Sequence, residues 1–350
     1  MKDTMALKLF LLLFLFSLHA KMEIYCDNCS DKKRYDLIAV GKIAAKTYFK
    51  ERAPEGSLEE SPLHFEFSGE SLNMLKALSQ LGKKCALYGT VGKDALGQKA
   101  YFTLQDLGIF PFLKRIEPPT KKILSFLSSQ EEEKESSTFS EEIEIERQDL
   151  AGAKHLHIES TFLLHKSWIL SLCRKAKEHH LKISLDLRGY DRSKEDIIDL
   201  LANYIDLLFL TEKEAKVLTK MEPLHATSYF ASLCPTVVIL SEDNGGWVKQ
   251  GKDFLYFPKI EAKIVDFSGK EEYFLAGFIY GYLKGKKIED AIWTGLYLAS
   301  QIIKVIGSEL PLNIWESIKE RIYLEESMAK QLKEEKDLPC LPNNPLHNYR

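Results

Sequence analysis

The sequence predicts an α/β domain built on a mostly parallel central sheet. Three observations lead there. From Tyr35 onward, short β-rich runs alternate with amphipathic helical ones. The spacers between the β-rich runs are of helix length, which implies right-handed crossovers and a sheet covered on both faces. The polar loop 266–274 follows a strand-like run and opens a helix carrying the small residues Ala276, Gly277 and Gly281.

The chain has 350 residues, 45% of them hydrophobic and 28% charged, enough for a sizeable core. Its formal net charge is -3 and no stretch is strongly basic, which excludes DNA or RNA as the main partner. Residues 9–18 are almost wholly apolar, preceded by Lys2 and Lys8 and followed by Ala20, like a signal-peptide core. The run is too short for a stable membrane span. Asp3, bulky Leu18 and a second methionine, Met22, point instead to a cytoplasmic protein, with export as the alternative. Residues 1–34 are therefore set apart as a leader segment. Cys26 and Cys29 form a C-x-x-C with no second pair at zinc-ribbon spacing. A solvent-exposed accident is preferred there over metal or redox use.

Strands are expected at 36–40, 85–91, 155–158, 183–187, 207–210 and 237–240. Leu72, Leu75, Leu78 and Leu81 repeat at helical spacing and stop at Gly82. Further helices are expected at 168–177, 195–201, 273–283 and 288–306. Two runs, 122–127 and 136–140, flank an acidic turn at 130–133 and read as a hairpin; with the short strand 64–67 they form a small β lid. From about Glu325 the chain reads as a loose tail. The domain thus spans 35–324, with lid pieces at about 42–68 and 118–142 and a tail at 325–350.

Several polar residues need placing. His155 and His157 alternate on one strand, where sheet histidines are preferred over a metal site. Asp186 and Arg188 stand at a strand's C-terminal end, where open α/β sheets bind ligands, and an internal salt bridge explains them equally well. Ser268 and Glu271 have capping-box spacing, as have Thr211 and Glu214.

Two segments carry a family resemblance. The first keeps Gly69, Asn73, Leu81, Gly82, Gly89, Val91, Gly92, Asp94 and Gly97 at the spacing of a Gly-Gly turn, an Asn, a Leu-Gly and a Gly-x-Val-Gly-x-Asp-x-x-Gly run. The second keeps Asp266, Gly269 and Phe274 of an Asp-Thr-x-Gly-Ala-Gly-Asp-x-Phe loop. From Tyr35 to Tyr323 the chain resembles the ribokinase-like (PfkB) sugar and nucleoside kinases, nearest their adenosine kinase branch. The resemblance implies a three-layer α/β/α sandwich with a small β lid. It also implies ATP- and Mg²⁺-dependent phosphorylation of a sugar or nucleoside hydroxyl, and allows a homodimer through the lid.

By the same resemblance Glu272 stands where the family's catalytic Asp does, and Gly269, Lys270 and Glu271 form the anion hole. Gly69, Asn73 and Lys46 fall at substrate-binding positions. Ser241, Gly245 and Asp266 fall on the nucleotide side, and Glu214 is an indirect support for the metal. The chain departs from the pattern at several of these. Lys270-Glu271-Glu272 replaces Ala-Gly-Asp, Ser68 replaces the first Gly, Thr211 replaces an Asn, and Lys46 replaces an Asp. A lysine cannot accept hydrogen bonds from hydroxyls. The alternative is a non-catalytic homologue that binds a nucleotide, sugar or protein partner.

Overall fold

The computed structural model describes residues 34–49, 64–126, 141–241, 245–259 and 262–336. The apolar leader, the C-x-x-C pair, the acidic turn 130–133 and the strand expected at 136–140 lie outside the described residues. Every element below belongs to the compact unit Tyr35–Arg350.

The central sheet takes β1 (Leu37–Val40), β4 (Cys85–Gly92), β5 (Ile109–Ile116), β7 (His155–Glu159), β8 (Lys182–Asp186), β9 (Leu207–Thr211), β10 (Thr236–Leu240), β11 (Gly246–Gln250) and β12 (Asp253–Phe257). Their order is β12-β11-β10-β9-β8-β7-β1-β4-β5. All neighbours pair in parallel except the meander β10-β11-β12 at one edge. Side chains alternate between faces as the pleat requires. Leu37, Ala39, Leu207 and Phe209 enter one core; Ile38, Val40, Leu208 and Leu210 enter the other.

The first core is closed by α1 (Glu70–Gln80), α2 (Ala95–Asp106), α8 (Lys270–Leu283), α9 (Ile288–Ile302) and α10 (Leu312–Lys336). The second is closed mainly by α4 (Lys166–Glu178), α5 (Ile198–Tyr204), α6 (Glu212–Thr219) and α7 (Pro223–Ala231), with the short α3 (Arg147–Ala151) beside them. The expected leucine stripe of α1 is real: Leu72, Leu75 and Leu78 are fully buried, and Gly82 ends the helix at φ 77°. Burying each such side chain contributes about 1.5–3 kcal/mol.

A second, smaller sheet forms the lid from β3 (His64–Ser68), β2 (Ala44–Phe49) and β6 (Lys121–Phe126), in the order β3-β2-β6. The expected strand at 122–127 is β6, and it pairs in parallel with β2. Neither β2 nor β5 was apparent from pattern alone. β5 contains Pro111, which argues against a central strand, but β5 lies at the sheet edge where proline is tolerated.

Three boundaries differ from expectation. α8 begins at Lys270 instead of 273, so the loop acids belong to its first turn. α9 stops at Ile302 because the Ile303 carbonyl accepts from the backbone N–H of Val265, at 2.7 Å, and of Asp266. The tail expected from Glu325 is instead part of α10, which runs on to Lys336. Glu326 explains this locally, pairing with Lys284 at 2.6 Å and Lys286 at 2.8 Å at the end of α8.

The small residues of α8 do let a neighbouring backbone approach. A Cβ placed on Gly277 would lie 2.5 Å from the Thr294 carbonyl oxygen and 2.6 Å from the Gly295 Cα. Gly277→Val should therefore force α8 and α9 apart and lower stability by about 1–3 kcal/mol, read from the denaturant midpoint. An unchanged midpoint would contradict this packing.

Candidate active site

The C-terminal ends of β1, β7, β8 and β9 deliver their side chains to one region below the lid. There the first turn of α8 meets the N-terminus of α1. Gly269 starts α8 in a left-handed conformation, φ 78° and ψ −4°, which glycine adopts without a Cβ penalty. No side chain caps the helix, so the expected Ser268–Glu271 capping box does not form. Asp266 shapes the loop instead. It accepts from the backbone N–H of Ser268 at 3.0 Å and of Gly307 at 2.8 Å.

Glu271 is drawn away from a capping role by Arg188. The Arg188 guanidinium is 7% exposed and forks onto Asp186, with Nε 3.0 and 2.9 Å from its two oxygens and Nη2 at 2.6 Å. Its Nη1 reaches across to Glu271 and Glu272, both at 2.9 Å. The internal Asp186–Arg188 salt bridge is thus present, and it extends 83 and 84 residues along the chain to the loop. Burial pushes the Glu272 carboxyl above its ordinary range, and Arg188 partly offsets this while Glu271 adds to it. For Asp186 burial acts in the same direction, but the Arg188 charge and the hydrogen bonds from Arg188 together outweigh it and hold that carboxyl below its usual range.

Two cavities meet at this helical turn. One, of about 170 Å³, is lined by Gly269 and Glu272, by Gly69, Glu70 and Asn73 of the α1 start, and by Lys42, Lys46 and Lys121 toward the lid. The other is small and largely apolar, lined by Ser241, Gly245, Phe257, Lys270, Glu271 and Phe274. The structure therefore brings Lys46, Gly69, Asn73, Gly269 and Glu272 together, and sets Ser241, Gly245, Lys270 and Glu271 on the far side of the same turn. Asp266 and Glu214 line neither cavity.

Glu214 has both oxygens engaged. Oε1 accepts from the Gly189 N–H at 3.1 Å; Oε2 accepts from the Thr211 N–H at 3.0 Å and from the Thr211 hydroxyl. Here the expected capping box is real. Asn73 is also committed: its amide nitrogen donates to Ser68 Oγ at 3.1 Å and its oxygen accepts from Ser308 Oγ at 2.8 Å. Gly69 is needed for close approach, since a Cβ there would lie 2.1 Å from the Lys42 carbonyl oxygen.

Pattern reading missed four contributors. Glu159, fully buried, accepts from the backbone N–H of Lys42 at 3.1 Å and from Ser71 Oγ at 3.2 Å, tying β1's exit to α1. Glu70 has a buried oxygen without a hydrogen-bond partner, and burial, then the Glu159 charge, raise its carboxyl well above the ordinary range. Lys42 and Lys121 complete the cavity wall. The one available signal was charge balance, because two added acids in a helix start require a cation nearby.

Beneath the lid, Glu66 of β3 accepts from Tyr48 OH at 2.8 Å and from Ser308 N at 3.0 Å and Oγ at 2.8 Å, with Lys76 Nζ 3.7 Å away. Burial alone would raise its carboxyl, yet Lys76, His64, Tyr48 and Ser308 together lower it to about 2. His155 and His157 share the Ser184 hydroxyl, at 2.7 and 2.8 Å. Burial lowers them to about 3 and about 4, so both are neutral sheet histidines near neutral pH. Among the described residues no cluster of three or more His, Cys, Asp or Glu could hold a metal, and no helix is long and apolar enough to cross a membrane.

Comparison with known proteins identifies the family and the fold. The profile of the pfkB family carbohydrate kinase matches residues 35–315, and the chain belongs to that family. It is similar to an ATP-dependent 6-phosphofructokinase of Thermoanaerobacterium thermosaccharolyticum, 23% identical over 313 residues, covering 83% of this chain and 94% of the relative. A solved probable sugar kinase from Rhizobium etli superposes with a TM-score of 0.68 at 22% identity, over 83% of this chain and 99% of that one. Ribokinase of Arabidopsis thaliana, solved with ribose and ATP, superposes with a TM-score of 0.65 at 20% identity, over 81% and 98%. The fold is the ribokinase-like one, with its mostly parallel sheet between helical layers.

Two measurements probe the charge network. In ¹³C-Glu NMR titrations, Arg188→Gln should move the Glu272 midpoint further upward, because it removes the cation that lowers it; an unmoved midpoint would disprove the coupling. For Glu66, the depressed carboxyl stabilises the fold above pH 4.5, and this is lost as pH falls toward 2. That contribution is roughly 3 kcal/mol, and Glu66→Gln should flatten the acid limb of an unfolding-versus-pH curve.

Proposed function

We propose that the protein transfers the γ-phosphoryl group of ATP to a hydroxyl of a sugar or nucleoside. The observation that carries this reading is the first turn of α8, which separates a cavity holding Glu272 and the α1 start from one holding Ser241 and Gly245. A donor on one side and an acceptor on the other would meet at that turn. Helix N-termini carry unpaired N–H groups and favour anions. The backbone of Gly269–Glu272 is thus suited to charge building on a transferring phosphoryl group.

In this reading the Glu272 carboxylate takes the acceptor's hydroxyl proton. The acceptor oxygen forms its bond to the γ-phosphorus as the bond to the β-phosphate oxygen breaks, and ADP leaves with that electron pair. Arg188 orients Glu272 and favours its ionised form, while Lys270 and Gly269 border the transferring group. Mg²⁺, when bound, neutralises phosphate charge and is held mostly by phosphates, water and one or two carboxylates. Glu214 would act on it only through water, because both of its oxygens already accept protein hydrogen bonds. Asp266 supports the nucleotide side by holding the loop. In this reading the use of ATP supports a cytoplasmic location, with export as the alternative. A homodimer through the lid is supported by the exposed Phe65 and Leu124, which flank Thr47 on one face of the lid sheet.

A second reading has its own observation. Arg188 binds both loop carboxylates at 2.9 Å, and Asn73 is held on both ends, so a binding protein without turnover fits the same site. The two separate cleanly. With ATP, Mg²⁺ and a panel of sugars and nucleosides, Glu272→Ala should lower kcat by about 10²–10⁴-fold. Full activity in that variant would remove Glu272 as the base. Thermal stabilisation by ATP without any turnover would instead establish the binding protein.

A further inference from the structure

Ser308, fully buried, ties together three parts of the molecule. Its backbone N–H and its hydroxyl donate toward Glu66 Oε1 on the lid strand β3, at 3.0 and 2.8 Å. The same hydroxyl lies 2.8 Å from Asn73 Oδ1 on α1, and the Ser308 carbonyl accepts from Tyr273 OH of α8 at 3.1 Å. The preceding residue, Gly307, donates to Asp266, so this loop also holds the approach to α8. Packing here is close: a Cβ on Gly269 would lie 3.1 Å from the Ser308 Cβ.

A hydroxyl carries one proton, so Ser308 donates to Glu66 or to Asn73 and not to both at once. Charge favours Glu66, whose carboxylate is kept ionised beside Lys76 and His64 and accepts more strongly than an amide oxygen. A proton given to Glu66, however, leaves the buried Asn73 oxygen short of a donor, which is costly. Ser68 Oγ, which accepts from the Asn73 amide at 3.1 Å, is a distant donor to that oxygen at 3.5 Å. Glu66 has no such dependence, because Tyr48 OH and the Ser308 N–H serve it in either case. The two demands oppose each other, and the hold on the Asn73 oxygen is exchangeable.

Asn73 lines the larger cavity together with Glu272. A ligand hydroxyl that donates to Asn73 Oδ1 there removes the opposing demand, and the Ser308 hydroxyl turns wholly to Glu66. The contact that then firms joins β3 to the loop behind α8. Through Tyr273 and Asp266 it reaches the turn that carries Gly269 and Glu272.

We propose that Ser308 is a positioning residue, a two-way hydroxyl that responds to a ligand on Asn73 by fastening Glu66 of the lid to the first turn of α8. The ligand is taken from the sugar or nucleoside reading, but the relay itself needs no phosphoryl transfer. Its test is hydrogen–deuterium exchange on the full chain, with D-ribose, D-fructose and adenosine each as probe. At least one probe should raise the melting temperature and slow exchange in 64–68 and 303–309 by at least about fivefold, the lower end of coupling between sites. In Ser308→Ala the same probe should still bind, with the protection of 64–68 lost. Tyr48→Phe removes a different donor from the same carboxylate and should keep the response, which separates the relay from a general loss of stability. The proposal is overturned if no probe protects 64–68, whether or not one binds. It is equally overturned if Ser308→Ala keeps the protection or loses the ligand altogether, or if Tyr48→Phe loses the protection too. Turnover with ATP and Mg²⁺, measured in parallel, keeps the two ideas apart. Protection without phosphorylation overturns only the kinase reading, whereas phosphorylation without protection overturns only the relay.

Discussion

The Arg188 guanidinium is the one cation on which the candidate site depends. It stands at the end of a central strand, fully inside the protein, and contacts three carboxylates from two distant segments. Without it, Glu271 and Glu272 would lie side by side in a partly buried helix start beside Asp186 and Glu70. Removing one partner from such a cluster typically costs 3–5 kcal/mol, because the others are left uncompensated. The same contact aligns the loop before α8 with the C-terminal edge of the sheet. Position and charge are settled by one side chain.

Much of the family signature turns out to serve architecture. Asp94 caps α2 by accepting from Gly97 N at 2.7 Å, and accepts from both the backbone and the hydroxyl of Thr120 where the chain returns to the lid. Gly92 leaves room for that return, since a Cβ there would lie 2.3 Å from Thr120 N. Glu214 closes a helix, and Asp266 ties the loop to Gly307. These residues could remain in place whatever chemistry the cavity performs. Among the residues that face the cavity, Lys46 and Glu272 depart from the family pattern, whereas Gly69, Asn73 and Gly269 keep it.

The fold was legible in the sequence wherever one physical signal dominated. Strands buried on both faces read as apolar runs, α1 showed its leucine stripe, and Gly82 marked its end. β5 was hidden by Pro111, whose meaning depends on lying at an edge that no local pattern reveals. β2 was hidden because Lys46 interrupts it with a charge that turns inward to a cavity. The site was legible as a set of positions only through the family resemblance, which assigned Gly69, Asn73, Gly269 and Glu272 to it; all four line one cavity. Its electrostatics were not. The ion pair between Arg188 and the loop spans more than eighty residues, and the box expected from Ser268 and Glu271 gave way to it. Local capping lost to a long-range charge.

The first turn of α8 is also a matter of angular register. Gly269 and Glu272 present themselves to one cavity, and Lys270 and Glu271 present themselves to the other. Consecutive residues of a helix point about 100° apart. One residue inserted or lost between the Asp266 anchor and Phe274 would rotate every one of these side chains. A carboxylate that now faces one chamber would turn toward its neighbour. The loop is therefore free to change its letters, as it has, but not its count.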